Sequence, residues 1–402
     1  MARFNRRPPS FAATLVALAV IFAIAWMFFL RTGGPASAPV IEGVQGTYTW
    51  TAEAAGAAGV PREQGSFGAV ASGDAGGRMT WENTAPRAGS GGTTDSAYSA
   101  ARRTGTTVEE GETRVGRRNG ATVTTGAWPP VWNVATRSPL DYQGPAAVVH
   151  TAVEDGDESV GIKPVKDGDR VVWRASMRLD GRQVDVVVDQ ETGVVTWYSS
   201  SDGTFTADVD WDSPPAPGTT FGVQVPVGTE VETVTAAPKY AATSAEAGRD
   251  AGYDPLVSDL APDGYRLRAV ASWRAELRPA DWIGVADRIG SLPVAPPGRS
   301  VLQLYARGLS WFTVEQAGPA TVRYWRELSD QAADAASLRL SYQETTLQYG
   351  AFKGETALTW YRESGPSLFV AGERRAVFVT GALTRQELLA FAEGLKPVPR
   401  AR

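Results

Sequence analysis

The 402-residue chain has no cysteine and a single histidine, His150. Without cysteine there is no disulfide, no thiolate nucleophile and no Cys-based zinc or iron–sulfur site. With one histidine, an HExxH helix and a histidine-rich metal site are excluded, and no G-x-S-x-G elbow or G-x-x-x-x-G-K-[ST] loop occurs. A Ser–His–Asp triad would have to use His150, which falls in a short helical pattern and reads as an ordinary packed or surface histidine. The net charge is a mild −5 with no basic patch, so nucleic acid is not an expected partner. Lysine is scarce beside arginine, and Ala and Gly are abundant, which reflects coding bias rather than function. Neither catalytic residues, a cofactor nor a metal set is expected, and the chain does not read as an enzyme.

Long apolar runs are also rare, which makes the one present decisive. Phe11 to Leu30 is unbroken except for Thr14. At about 1.5 Å of rise per residue, such a run crosses a hydrocarbon core about 30 Å thick. Arg3, Arg6 and Arg7 precede it with no acidic residue, so the N-terminus is expected in the cytoplasm and the bulk of the chain outside, as a single-pass protein of the cell membrane. A cleaved signal peptide is the alternative, and Gly33 to Ala38 offers small residues for a peptidase. Its apolar core would be only about 7–15 residues, so length favours a retained anchor.

Behind the anchor, composition divides the chain into a cytoplasmic tail (1–10), the span (11–30), a Gly/Pro/Ala tether (31–46), a first domain (47–212), a linker (213–250) and a second domain (251–402). Thr47 to Thr51 alternates as a half-buried strand, and Gly65–Gly68, Arg78–Trp81 and Thr122–Thr125 are further candidate strands. Ala85 to Ala100, rich in Gly, Ser and Thr, reads as a loop. Leu140 to Val153 changes to helical spacing, with Asp141 as N-cap, Pro145 in the first turn and Ala147, Val148, Thr151 and Ala152 on one face. The acidic run Glu154–Glu158 then reads as a solvated loop.

The clearest pattern follows. Arg170–Leu179, Arg182–Asp189, Gly193–Ser199 and Thr204–Trp211 read as strands separated by Asp180-Gly181, Glu191–Gly193 and Ser201–Gly203, an antiparallel meander. Pro214–Gly218 stops it. Ala241–Ala251 is helical, Arg307-Gly308 turns a hairpin, Thr356–Tyr361 and Arg375–Thr380 are strands, and Thr384 with Glu387 forms a capping box on a final helix to Leu395. The fold class is α+β, mostly antiparallel β.

Several of these stretches are similar to a known family. VDVVVDQETGVVTWY in the meander, PLVSDLAPDGYRLRAV (Pro255–Val270) and VFVTGALTRQELLAFAEGL (Val377–Leu395) resemble the LolA/LolB-like and MucB/RseB-type fold of bacterial envelope proteins. The resemblance implies an incomplete β-barrel cupping the Leu140–Val153 helix as a plug, followed by a smaller α+β domain. It implies an apolar ligand, a lipid or lipoprotein acyl chain, in the cup, and an anti-sigma factor or other membrane protein as partner in envelope-stress signalling. A tethered chain cannot ferry lipoproteins between membranes, so holding or sensing at the bilayer surface is the expected role.

Trp128, Trp132, Trp173, Trp197 and Trp211, with Val148 on the helix, are the candidate lining of such a cup. The same tryptophans would equally fill a packed core. Asp208, Asp210 and Asp212 alternate and would share one sheet face, which reads as a solvated face rather than a cation site. Two functions stay open: a membrane-anchored binder of an apolar ligand, or a structural and protein-interaction module of the envelope without a ligand cavity.

Overall fold

A computed structural model describes residues 40–52, 63–72, 76–83, 92–99, 104–112, 119–126, 142–213, 231–236, 239–274, 299–319, 322 and 343–398. The apolar run Phe11–Leu30, Trp128, Trp132, Asp141 and Pro214–Gly218 lie outside them. Among the described residues no helix is long and apolar enough to cross a membrane.

The first sheet begins with β1 (Gly43–Ala52), β2 (Glu63–Ser72), β3 (Gly76–Asn83), β4 (Gly92–Ser99), β5 (Thr104–Glu112) and β6 (Asn119–Gly126). After helix α1 (Gln143–Asp155) come β7 (Gly161–Asp167), β8 (Arg170–Leu179), β9 (Arg182–Asp189), β10 (Val195–Ser200), β11 (Gly203–Asp210) and, later, β12 (Val231–Ala236). Their order is β12-β6-β5-β4-β3-β2-β1-β11-β10-β9-β8-β7. Two meanders are therefore joined by one antiparallel pair, β1 with β11, in which Gln45 faces Asp210. Among the described strands only β12 runs parallel to its neighbour, β6. The sheet is open, not a closed barrel, with β12 and β7 at its edges.

The expected meander is present as β8 to β11. Its β8–β9 turn is built by Asp180 and Gly181 at φ 46° and 81°, the left-handed pair a two-residue hairpin turn needs. In β9 and β11, buried Val184, Val186 and Val188, and Phe205, Ala207 and Val209, alternate with outward residues.

The second sheet holds β13 (Lys239–Ala241), β15 (Arg266–Arg274), β16 (Arg299–Arg307), β17 (Ser310–Ala317), β18 (Gln343–Thr346), β19 (Thr356–Arg362), β20 (Gly365–Ala371) and β21 (Ala376–Gly381), in the order β13-β15-β16-β17-β21-β20-β19-β18. Helix α2 (Ser244–Ala251) packs on β15 and β16. A ribbon of β14 (Leu256–Ser258) and β22 (Leu395–Pro397) flanks α3 (Arg385–Glu393). The capping box opens α3 as the sequence predicts: Thr384 accepts from Glu387 N–H while the Glu387 carboxylate accepts from Thr384 N–H. Leu388 and Phe391 then fill a core with Tyr305, Phe312 and Val379.

Three expectations are corrected. The loop expected over Ala85–Ala100 contains a strand, β4. Its Gly and Ser weaken the pattern, but it lies between β3 and β5 and pairs with both along its length. The helix expected from Leu140 starts at Gln143, with Tyr142 as an N-cap that makes no side-chain capping bond. Ring packing sets that start: Tyr142 lies 4.4 Å from Tyr198 and 4.7 Å from Phe205 between ring centroids. The acidic run after it is not simply solvated, as shown below. Among the strands without a clear signal, β20 is buried on both faces and so does not alternate, and β7 is an exposed edge carrying Pro164, Lys163 and Lys166.

Candidate functional site

Helix α1 sits where the two sheets meet. Ala146, Val148, Val149 and Ala152 face the first core with Val186, Val188, Tyr198 and Phe205. Val148 and Val149 are 0 % exposed, so the space that a lipid cup would leave beneath the helix is occupied by side chains. Of the other stripe of α1, Gln143 and Glu154 reach the second half, while His150 packs on Trp173 of β8. Gln143 Nε2 donates to Leu309 O at 2.9 Å, in the turn between β16 and β17. Gly144 lies so close to the β19–β20 turn that a Cβ there would come within 2.1 Å of Glu363 O.

Beyond the helix, the acidic run is engaged. Arg385 pairs with Asp155 at 2.5 Å and with Asp157 at 3.8 Å. Its guanidinium lies 5.1 Å from the Tyr361 ring, and Tyr361 OH donates to Asp157 at 3.0 Å. Burial pushes the Asp157 carboxyl up, but hydrogen bonds from Ser159 and Tyr361 and the Arg385 charge outweigh it and hold it below the ordinary carboxylate range. Glu154 goes the other way: burial raises it and the charges of Asp155 and Glu387 add, against a hydrogen bond from Thr384. Further links join the halves: Arg362 Nε to Asp180 at 3.1 Å, Glu363 N–H to Asp180 at 3.0 Å, Tyr198 OH to Glu363 at 2.8 Å and Leu309 N–H to Ile41 O at 2.7 Å. Asp155 and Asp157 were expected in water because their partner is far away in sequence.

His150 is buried, and its ring meets Trp173 edge-on at 4.9 Å. Desolvation lowers its pKa to about 4, so the ring is neutral at physiological pH. Nε2 has no hydrogen-bond partner among the described residues, and the same holds for Gln143 Oε1, Thr151 Oγ1 and Glu154 Oε2 on the same stripe. A buried polar atom left unpaired costs about 1–3 kcal/mol.

On the opposite face of the meander lies an open groove of about 540 Å³. Register builds its floor: Arg174, Val187, Trp197 and Thr206 face one another in a row across β8, β9, β10 and β11. Trp211 forms one wall, with the Arg170 guanidinium 4.3 Å from its ring centre. Arg170 is fixed by Asp189 at 3.0 Å, and Asp189 also accepts from Thr192 N–H and Thr192 Oγ1–H at 2.8 and 2.7 Å. The groove thus presents two indoles between exposed Arg174 and exposed Asp208. It suits recognition through side chains, because the backbone groups of these interior strands are spent in the sheet.

Of the candidate lining residues, the structure brings Trp197 and Trp211 together in this outer groove. Trp173 turns inward onto His150, and Val148 is in the core. Asp208 and Asp210 are exposed on the outer face, as the alternation predicts. Asp210 accepts from Gln45 Nε2 and from Asp212 and Ser213 N–H, and the Gln45 bond leads in holding its carboxyl low. Among the described residues no group of His, Asp and Glu is arranged to hold a metal ion. Sequence reasoning missed Arg170, Arg174, Asp189 and Arg385. Only Asp189, three residues before Thr192 in a Thr-Gly turn, carried a local signal.

No protein-family model and no curated protein matches the chain. Among solved structures, it is similar to a chain of "The complex structure of Pseudomonas aeruginosa MucA/MucB", with 11 % identity over 92 % of this chain and 98 % of that one, at a TM-score of 0.27. "Crystal structure of MucB" aligns at 12 % identity over 94 % and 98 % of the chains, TM-score 0.25. "Structure of PNGF-II in P21 space group" follows at 8 % identity over 86 % and 69 %, TM-score 0.24. At TM-scores this low, the superpositions carry no argument for this chain.

Proposed function

We propose that this chain is a non-enzymatic protein-interaction module, tethered by Phe11–Leu30 to the outer side of the cell membrane, that engages a polypeptide of a membrane partner on the outer face of its meander. The observation that carries this is the groove of Trp197 and Trp211 flanked by Arg174 and Asp208, set against an interior beneath α1 that is already filled. An anti-sigma factor is the partner class that the sequence resemblance implies. Indoles and charges of both signs suit a polypeptide with apolar and ionised side chains better than a bare acyl chain, for which Arg174 and Asp208 would be desolvated without return.

A photo-reactive residue at position 197 of the full chain should crosslink a polypeptide in native membranes, and Arg174→Glu should abolish that crosslink. A crosslink to lipid alone, or one indifferent to Arg174→Glu, would return the chain to the acyl-chain reading.

A further inference from the structure

The outer groove ends on charges that the fold leaves unanswered. Lys163 of β7 stands directly opposite Arg174 of β8. Directly opposed residues share a face of the sheet, so both cations lie on the outer face, beside the groove that Arg174 lines. Both are exposed, and neither side chain meets a carboxylate among the described residues. Like charges so placed repel. Four residues along the same two strands the arrangement is different: Arg170 faces Asp167, and Asp189 holds its guanidinium at 3.0 Å. Edge protection explains a lysine on β7 but not a second cation across from it.

At the other end, Asp208 of β11 is exposed and has no ion-pair partner among the described residues. Its cross-strand neighbour on β1 is the neutral Thr47. From β8 to β11 is three strand spacings, about 14 Å, and Asp208 lies about 7 Å along β11 from Thr206, which closes the row from Arg174. Trp197 of β10 stands between the two ends. An extended polypeptide advances about 3.4 Å per residue and turns alternate side chains to one face. A stretch of about five residues therefore presents side chains i, i+2 and i+4 together, the outer two about 14 Å apart.

We propose that the groove selects a dipolar segment of its partner. An acidic side chain sits between Lys163 and Arg174, an apolar one on Trp197 and a basic one against Asp208, with the two charges about four residues apart. This rests on the reading of the groove as a polypeptide site and names the charge code that the polypeptide carries. A segment with two like charges satisfies one end of the groove and is repelled at the other, which is how the two ends set specificity. Recognition runs through side chains, so either chain direction serves.

Photo-labelling of the full chain in nanodiscs of neutral lipid tests this. The probes are Asp-Ala-photoleucine-Ala-Lys and its doubly acidic and doubly basic counterparts, blocked at both termini to remove the end charges. In the wild type the dipolar peptide should label the groove at least about fivefold more than either counterpart, since an exposed attraction is exchanged for a repulsion. Asp208→Lys should move the preference to the doubly acidic peptide, and Lys163→Glu with Arg174→Glu to the doubly basic one. Lys163→Glu alone puts opposite charges across β7 and β8, so its melting temperature should rise while its labelling by the dipolar peptide falls. A fall in both would make the pair structural and overturn the proposal. One order of preference in all chains, or no labelling of the groove by any peptide, would overturn the charge code as well. The crosslink from position 197 in native membranes then decides the polypeptide reading by itself.

Discussion

At the scale of single residues, two buried polar groups behave in opposite ways. Asp189 is nearly fully covered, and Arg170 and Thr192 meet its carboxylate. Asp189→Ala should cost about 2–4 kcal/mol, since it strips the partner from Arg170 and the hydrogen bonds from the turn, and denaturant unfolding will read the loss. His150 is unmet at Nε2, and its pKa of about 4 lies below the ordinary 6.5. Below pH 6.5 the unfolded chain takes up a proton that the folded chain refuses, so stability falls as pH drops toward 4. The whole window is worth about 3 kcal/mol, at 1.4 kcal/mol per unit. His150→Phe should flatten that slope in a pH series of thermal melts. Glu154, raised rather than lowered, titrates with the opposite sign, and the variant separates the two.

At the scale of elements, α1 and α3 are coupled through their ends. In an isolated helix Gly144→Ala would gain about 1 kcal/mol. Here the new Cβ would meet Glu363 O at 2.1 Å, so the change should instead destabilise by about 1–3 kcal/mol. A rise in melting temperature would mean that the approach is looser than it stands. Thr384→Ala removes the capping box of α3 and the partner of Glu154 together and should cost about 1–2 kcal/mol. The sequence makes some of these elements plain and hides others for physical reasons. The β8–β11 meander is legible because each strand has one wet and one dry face and its turns carry Asp-Gly or Thr-Gly. The α3 cap is legible because its two bonds span three residues. Strand β20 is hidden because both its faces are dry, and β4 because its partners, not its side chains, hold it. The outer groove was half visible: Trp197 and Trp211 stood out as aromatics, but which face they share with Arg174 depends on register, and the irregular pairing between Val195 and Trp197 shifts it. The Arg385 clasp was invisible, since 230 residues separate it from Asp155.

At the scale of the whole molecule, the proposals separate binding from folding. Trp197→Ala should leave the stability of the full chain within about 0.5 kcal/mol of the wild type, since the residue lies only half-buried on the outer face of the sheet. The same change should remove the polypeptide crosslink that tests the groove. A large loss of stability would instead assign Trp197 to packing. Deleting residues 11–30 should release the chain from the membrane fraction, and retention after that deletion would overturn the anchor.

The pairing of β1 with β11 sets the order in which this protein can be made. Gln45 waits for Asp210, so the strand that leaves the ribosome first meets one of its two neighbours only after about 165 further residues have followed. Contacts of such long sequence separation are slow to form, and until they do β1 offers an open edge to any passing strand. A chain that crosses a membrane as it is synthesised would meet that interval on the far side. The pairing at the centre of the sheet makes the interval between the emergence of β1 and that of β11 the time of greatest exposure to misassembly.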